Sequence, residues 1–188
     1  MAIFTSPIAR GSNITEVVTR IDNANCKLVE HLEESGDDTY ACRGYGEVTV
    51  TKLLGHDLMT LSYGPDAQNS CAWDQGFISP SGAKDELSWR VVNGRAFAVI
   101  ERWSVGKYDQ ARGDYDITEW IAVTQLRPQQ ICHVAYIRAD QPDSLGVARK
   151  IADRYATTPF DCAVMKPDIQ PSMDDDPDFE GFRLDCNH

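Results

Sequence analysis

The sequence LSWRVVNGRAFAVIERW, residues 87–103, decides the fold of this chain. Its first half has alternating apolar side chains at Leu87, Trp89 and Val91, and its second half, from residue 95, is a run of β-favouring residues. Between the two runs lies Asn93-Gly94, a pair that readily adopts the two positive φ angles of a type I′ turn. The stretch therefore predicts a β-hairpin.

Two similar units precede this hairpin. Residues 26–32 and 39–42 are β-favouring runs around a polar turn at 33–38, and a cysteine near each open end could close the hairpin by a cross-strand disulfide. Residues 48–51 and 58–63 form the second unit, around Gly55-His56-Asp57. The first half of the chain therefore predicts paired strands throughout.

After residue 103 a polar stretch with two glycines spans residues 104–116. Residues 117–126 and 131–137 predict two more strands, separated by Arg127-Pro128-Gln129-Gln130. The β pattern therefore continues as a meander.

One segment predicts a helix. Asp140 or Asp143 can cap it, and Pro142 suits its first turn. Apolar residues recur there at helical spacing, at Leu145, Ala148, Ile151, Ala152 and Tyr155. We therefore predict an α+β fold, mainly an antiparallel β meander of about six to eight strands with one C-terminal helix of about three turns packed on it.

Length and composition fit a single domain. The chain has 188 residues, of which 42% are hydrophobic and 25% charged, and no apolar run approaches the ~20 residues of a membrane span. Residues 1–12 lack periodicity and predict a flexible leader, and residues 13–165 predict the β-rich domain. Residues 166–188, rich in Pro and Asp, predict an acidic tail tied back by Cys186.

The net charge of −11, from 29 acidic and 18 basic residues, argues against nucleic acid as a partner. Binding to phosphates needs a basic face, and the Lys and Arg residues do not cluster. A basic partner is favoured, with an acidic surface that serves only solubility as the alternative.

Six cysteines predict three structural disulfides, because their number is even, they are widely spread and none forms a C-x-x-C pair. They are Cys26, Cys42, Cys71, Cys132, Cys162 and Cys186. Disulfides indicate a periplasmic or secreted protein, although residues 1–7 contain no signal-peptide apolar stretch. Either a signal peptide was removed and a start methionine added, or the chain is a cytosolic protein with six thiols; the cysteine count favours the first interpretation.

Common catalytic signatures are absent from the sequence, including G-x-S-x-G, the phosphate loop and the dinucleotide fingerprint. Any acid-base site would have to be assembled by the fold from scattered residues, among them His31, His56, His133 and His188. His133 follows Cys132 in a predicted strand, where neighbours point to opposite faces, so the two should not meet. We therefore predict no catalytic residue and no cofactor.

A calcium site is an alternative for the acidic tail, because carboxylates alternate at Asp174, Asp176, Asp178 and Glu180. An EF-hand loop needs Gly and Glu where Phe179 and Asp185 stand, so we predict no metal site there.

The four tryptophans are large enough to act as binding anchors, but three of them, Trp89, Trp103 and Trp120, lie in strand patterns and are expected in the core. Trp73 differs, because residues 70–76 predict an irregular loop. It is the tryptophan best placed for a binding surface.

The order of these segments resembles a group of small exported proteins of unknown function from alphaproteobacteria. The resemblance covers most of residues 19–162. It lies in six segments: Thr19-Arg20-Ile21-Asp22 with Cys26, residues 40–46 (YACRGYG), Leu58 with Ser62-Tyr63-Gly64, Trp89-Arg90 with residues 94–98 (GRAFA), residues 132–136 (CHVAY), and the helix before Phe160-Asp161-Cys162. It implies export and pairing of Cys26 with Cys42 and of Cys132 with Cys162, which leaves Cys71 for Cys186. It implies no activity.

The segment Tyr40-Ala41-Cys42 is also similar to one in periplasmic inhibitors of animal-type lysozyme, which are small β-rich proteins. Our leading hypothesis is a non-enzymatic envelope protein that binds another macromolecule or ligand, in its sharpest form an inhibitor of a basic enzyme such as lysozyme. It predicts an exposed aromatic or acidic loop and no converging cluster of titratable groups. An envelope hydrolase would instead need a deep pocket with converging His, Asp and Glu, and an assembly or stability factor would need a flat apolar patch.

Overall fold

A computed structural model describes residues 13–170 and 181–186. The strands are β1 (Thr15–Arg20), β2 (Cys26–Leu32), β3 (Asp37–Arg43), β4 (Thr49–Leu54), β5 (Met59–Tyr63), β6 (Gly76–Phe77), β7 (Ser81–Val92), β8 (Arg95–Asp109), β9 (Asp114–Arg127), β10 (Gln130–Arg138), β11 (Asp168–Gln170) and β12 (Phe182–Arg183). The helices are α1 (Cys71–Asp74), α2 (Ser144–Tyr155) and a 3₁₀ turn at Ala67–Asn69. The predicted α+β fold, mainly antiparallel with one main helix, is confirmed.

The strands form a six-stranded sheet in the order β1-β7-β8-β9-β10-β11, a four-stranded sheet in the order β2-β3-β4-β5, and the small pair β6-β12. The predicted meander is β7 to β10, and the first two predicted hairpins form a sheet of their own. The physical reason is that β1 pairs antiparallel with β7, so the chain between them has to fold outside that ladder. The short β11 pairs parallel with β10.

The predicted hairpin at the centre of the sequence is confirmed. Val92 pairs with Arg95, and the two turn residues between them have positive φ, 50° at Asn93 and 75° at Gly94. Positive φ at both positions is what a two-residue hairpin with the twist of its strands requires.

The polar stretch predicted at residues 104–116 is instead the outer part of a long hairpin. The β8–β9 ladder continues to Asp109 and Asp114, and the turn between them includes Gly113 with φ 69°. Most side chains of this ribbon are exposed, so no alternation of apolar residues marks the strands, although their backbones stay paired. This ribbon carries two exposed aromatic residues, Tyr108 and Tyr115.

The helix α2 begins at Ser144, so the N-cap is Asp143, one of the two predicted positions, and not Asp140. Asp143 occupies the N-cap in a left-handed conformation, φ 55°, and its side chain makes no capping hydrogen bond. Asp140 and Pro142 both precede the helix, so neither lies in its first turn. The packing face is as predicted at Ala148, Ile151 and Ala152, which are buried.

The six-stranded sheet has a hydrophobic core on each face. One face packs against the four-stranded sheet and contains the three tryptophans expected in the core, Trp89, Trp103 and Trp120. The other face lies beneath α2 and is lined by small aliphatic residues of β8, β9 and β10. Arg90 fastens the helix to the sheet, because its guanidinium binds Asp153 on α2 at 2.9 and 2.7 Å and Glu16 on β1 at 3.2 Å.

All six cysteines form disulfides, in the pairs implied by the resemblance. Cys26–Cys42 joins β2 to β3, and Cys132–Cys162 joins β10 to the segment after α2. Cys71–Cys186 joins α1 to residues 181–186, so this part of the predicted tail is tied back. Three disulfides fit an oxidising compartment.

Part of the predicted tail is strand, because β11 and β12 lie in it. The predicted leader, residues 1–12, lies outside the described residues. None of the helices in the described part of the chain combines the length and apolar character of a membrane span.

Candidate functional site

Titratable groups converge at Glu101, a carboxylate in the middle of β8 that is fully buried between the two large sheets. Three side chains donate hydrogen bonds to it: the Tyr63 hydroxyl, the Trp103 indole at 3.0 Å and the Thr124 hydroxyl at 2.7 Å. Nδ1 of His133 lies 2.7 Å from the same Thr124 hydroxyl oxygen. Since the single Thr124 proton goes to Glu101, Nδ1–H of His133 donates to Thr124, and we name these five side chains the Glu101 cluster.

Burial sets the protonation of this cluster. It raises the pKa of Glu101 to about 7, although the hydrogen bonds from Tyr63, Thr124 and Trp103 act in the opposite direction. Burial also lowers the pKa of His133 to about 4, so the imidazole is neutral at physiological pH. The cluster therefore holds one carboxyl group that titrates near neutrality beside a neutral histidine.

The Glu101 cluster is sealed from solvent. Its most exposed members, Trp103 and His133, are only 3% and 2% exposed. A hydrolase needs such groups to meet a substrate, and here they meet one another inside the core. The prediction that no titratable groups converge is therefore wrong, because Thr124 bridges Glu101 and His133. Since the groups are buried, we interpret the cluster as a structural element of the interface between the sheets.

The sequence does contain a sign of this cluster. Glu101 stands between Val99 and Trp103 in the alternation of β8, so it occupies an inward position where apolar residues are expected. A charged residue at such a position needs buried partners. Trp103 is a partner from β8 itself, whereas Tyr63 and Thr124 come from β5 and β9, and these two could not be identified from the sequence.

The three histidines within the described residues lie on different elements. His31 is exposed and lies 2.7 Å from Asp38, His56 lies in the β4–β5 turn, and His188 is outside the described residues. His133 and Cys132 point to opposite faces of β10 as predicted, since Cys132 lies in the core beneath α2. In the described part of the chain, no group of three or more His, Cys, Asp or Glu residues is placed to hold a metal ion.

The residues weighed as a calcium loop are Asp174, Asp176, Asp178 and Glu180, which lie outside the described residues together with Phe179. Only Asp185 of that pattern is described, and it is exposed.

Within residues 13–170 and 181–186, the most exposed aromatic residues lie at the outer end of the β8–β9 hairpin. Tyr108 and Tyr115 are paired across the ladder, are 53% and 44% exposed, and contact each other edge to face with ring centroids 5.3 Å apart. Ile117, on the same strand as Tyr115, is 62% exposed. We call residues 107–117 the hairpin tip.

The hairpin tip is ordered by its own polar contacts. Nε of Arg112 binds Oδ2 of Asp109 at 2.6 Å, and the same guanidinium binds Asp116. Oδ1 of Asp109 accepts from the backbone N–H of Ala111 at 2.8 Å, and Arg112 beside this carboxylate lowers the pKa of Asp109. The turn is therefore held in one arrangement before any partner arrives.

Two open grooves adjoin the β4–β5 turn, Gly55–Leu58. The first groove, of about 450 Å³, lies between that turn, residues 80–82 and the hairpin tip, where Tyr115 and Ile117 line it. The second, of about 470 Å³, lies on the other side of the turn, and we call it the Trp73 groove. Its lining residues are Asp37, Leu53, Gly55, His56, Asp57, Leu58, Thr60, Trp73, Asp74 and Arg183.

Trp73 is half-buried and lines a groove, so its predicted position at a surface is confirmed. The irregular loop predicted around it is wrong, because residues 71–74 form the short helix α1. Backbone bonds from Trp73 to Ser70 and from Gln75 to Cys71 close this turn, and the disulfide to Cys186 holds it. Four residues are too few for helical periodicity to show in the sequence.

A separate apolar surface lies on β2, which is an edge strand that pairs with β3. Leu28, Val29 and Leu32 are 47%, 57% and 45% exposed on it. An exposed edge strand of this kind is able to pair with another chain.

These observations separate the three functional hypotheses by geometry. The two grooves beside the β4–β5 turn are open, the titratable groups that converge at Glu101 are sealed, and the exposed features include an aromatic hairpin tip and an apolar strand edge. Exposed aromatic side chains of this kind are common at protein–protein interfaces. No protein-family model, no curated protein and no solved structure matches this chain.

Proposed function

We propose that this protein is a non-enzymatic binding protein of the envelope of a Gram-negative bacterium, periplasmic or secreted, and that the hairpin tip binds a basic protein. The exposed Tyr108–Tyr115 pair is the observation that supports this proposal most directly. Aromatic residues dominate the energetics of many interfaces, since they bury a large area and lose little rotamer entropy. Exposing two of them together costs solubility unless a partner covers them.

The order of the hairpin tip also supports binding. Arg112 is already bonded to Asp109 and Asp116, and the ladder extends to the last pair before the turn. A preformed loop loses less conformational entropy on association than a mobile one. The tip can therefore present Tyr108 and Tyr115 without being reorganised.

Charge points to a basic partner. The hairpin tip carries Asp109, Asp114 and Asp116 against Lys107 and Arg112, which gives a local net charge of −1 within a chain of net charge −11. A negative field accelerates encounters with basic proteins and makes the association depend on salt. In its sharpest form, the proposal is that the chain inhibits a basic enzyme such as a lysozyme, and the similarity at Tyr40-Ala41-Cys42 supports that choice.

The proposal is tested by binding of the oxidised protein to a panel of basic lysozymes at low and moderate salt. We expect stoichiometric binding that weakens as salt rises. The variant Tyr108→Ser/Tyr115→Ser should weaken it by about thirtyfold or more, because hot-spot truncations cost ~2 kcal/mol or more. The matched control Leu28→Ser/Val29→Ser removes exposed apolar area from β2 and should leave the affinity unchanged.

Absence of binding to every lysozyme would contradict the lysozyme form of the proposal. Unchanged binding by the tyrosine variant would contradict the hairpin tip as the contact surface. If the β2 variant lost binding instead, the result would favour the second candidate function, an assembly factor, for which the exposed Leu28, Val29 and Leu32 are the supporting observation.

A further inference from the structure

The Trp73 groove has a different chemistry from the first groove. Its described lining residues include three carboxylates, Asp37, Asp57 and Asp74, against one guanidinium, that of Arg183. Trp73 lies half-buried among them and gives the groove an aromatic wall. Gly55 leaves room for the carboxylate of Asp37, since a Cβ at that glycine would lie 3.2 Å from its Oδ1.

Several polar groups of this groove lack partners within residues 13–170 and 181–186. Thr60 is only 9% exposed and lines the groove, yet its hydroxyl makes no side-chain hydrogen bond there. The carboxylates of Asp37 and Asp57 likewise form no ion pair in the described part of the chain. With no partner among the described residues on the groove side, the Thr60 hydroxyl and the two carboxylates are free to bond a ligand that enters the groove.

We propose that the Trp73 groove binds the cationic head of a basic side chain, a guanidinium or an ammonium group. Asp37 and Asp57 would accept charge-assisted hydrogen bonds from it, and the face of Trp73 attracts a cation through its quadrupole. The Thr60 hydroxyl adds an acceptor at the floor of the site. This inference rests on the proposed function, because it makes an arginine or lysine of the basic partner the ligand.

The position of the groove fits that role. The Trp73 groove and the first groove share the β4–β5 turn, Gly55–Leu58, and the first groove is lined by Tyr115 and Ile117 of the hairpin tip. A partner that binds the hairpin tip would therefore lie close to this turn. The Trp73 groove is on the other side of the turn. One contact surface would combine an aromatic anchor at the tip with a cation site beside it.

The test uses N-acetylarginine methylamide as the probe, titrated into the full oxidised chain and followed by ¹H–¹⁵N spectra. We expect saturable shifts at the Trp73 indole and at the Thr60 and Asp57 amides. N-acetylcitrulline methylamide has nearly the same shape without the charge, and it should bind about tenfold more weakly, since hydrogen bonds to charged groups contribute more than neutral ones.

The double variant Asp37→Asn/Asp57→Asn should weaken binding of the arginine probe by about tenfold, because both charged acceptors are lost. Glu47→Gln is the matched control, as it removes an exposed acid that does not line this groove. Unchanged amide dispersion in both variants shows that the fold is kept. Equal binding of the two probes, or no shift at Trp73 and Thr60, would overturn the proposal.

Lysozyme binding separates this inference from the proposed function. If lysozyme affinity falls with Tyr108→Ser/Tyr115→Ser and stays unchanged with Asp37→Asn/Asp57→Asn, the cation site is overturned and the binding protein stands. If the arginine probe binds the groove and no lysozyme binds, the lysozyme form of the proposed function is overturned and the cation site is supported.

Discussion

The hydroxyl of Tyr63 on β5 donates a hydrogen bond to the carboxylate of Glu101 on β8, and this bond joins the four-stranded to the six-stranded sheet. Both residues are fully buried, so this contact fixes how the two sheets face each other. Buried polar networks of this kind constrain packing geometry, because an unsatisfied member would be costly.

The pH dependence of folding should report on Glu101. Its folded pKa is about 7 against 4.5 in the unfolded chain, so the folded state holds the proton longer. The contribution of Glu101 to the free energy of unfolding is therefore fully present below pH 4.5, and it falls by about 3 kcal/mol as the pH rises to 7. We expect the free energy of unfolding of the wild type, minus that of Glu101→Gln, to fall across this range in urea titrations at several pH values.

The contribution of His133 to the free energy of unfolding changes with pH in the opposite direction. The contribution of Glu101 is therefore measured as a difference between the wild type and Glu101→Gln. The folded pKa of His133 is about 4 against 6.5, so its contribution is lost as pH falls from 6.5 to 4. In the wild type the two slopes oppose each other between pH 4.5 and 6.5. A difference curve for Glu101→Gln that is flat up to pH 7 would contradict the assignment to Glu101.

The ion pairs of Arg90 should stabilise the docking of α2. Asp153→Asn removes the charge and one of the two acceptor oxygens that bind Arg90, whose side chain is 11% exposed, and we expect a loss of about 2 kcal/mol in the free energy of unfolding. Asp143→Asn is the control on the same helix, because Asp143 is exposed and its nearest cation, Lys150, lies 3.7 Å away. Equal stability of both variants would show that Arg90 does not hold the helix.

Gly44 is required by close packing. A Cβ at Gly44 would lie 2.5 Å from the carbonyl oxygen of Val48 and 2.9 Å from the ring of Trp89, which is fully buried. Gly44→Ala should therefore destabilise the chain by about 2 kcal/mol in chemical denaturation. At Gly82 the nearest atom is a flexible Met59 methyl at 4.0 Å, so Gly82→Ala should be nearly neutral, and similar losses in both would refute the packing argument.

Removal of the disulfides should lower stability in an order set by loop length. The chain-entropy model assigns about 5 kcal/mol to Cys71–Cys186, which closes a separation of 115 residues, and about 3 kcal/mol to Cys26–Cys42, with 16 residues. Double Cys→Ser variants of each pair, melted with and without reductant, measure this order. If reductant left the melting temperature of the wild type unchanged, the result would contradict the presence of the disulfides.

Much of this fold follows from local sequence patterns. The hairpin at Asn93-Gly94 and the apolar face of α2 were predictable, because turn chemistry and periodicity act over a few residues. The extension of β8 and β9 to Asp109 and Asp114 was not, since an exposed ribbon has no apolar face. The aromatic hairpin tip therefore became visible only in the structure.

The candidate sites depend on contacts between distant elements. Trp73 was identified from the sequence as a surface residue, but Asp37, Thr60 and Arg183 reach the same groove from β3, β5 and β12. The partners of Glu101 also come from separate strands. No local pattern encodes such convergence, because it is set by the pairing of the sheets.

The pairing of β1 with β7 has a consequence for how the chain acquires its structure. Thr19 lies opposite Leu87, 68 residues further along, and its hydroxyl accepts the indole hydrogen of Trp89 at 2.7 Å. The hairpins of the four-stranded sheet close over short loops and can form while β1 still has no neighbour. We expect the last slow step of folding to be the arrival of β7 beside β1, and a chain shortened before residue 87 would leave β1 as an unpaired strand open to association with other chains.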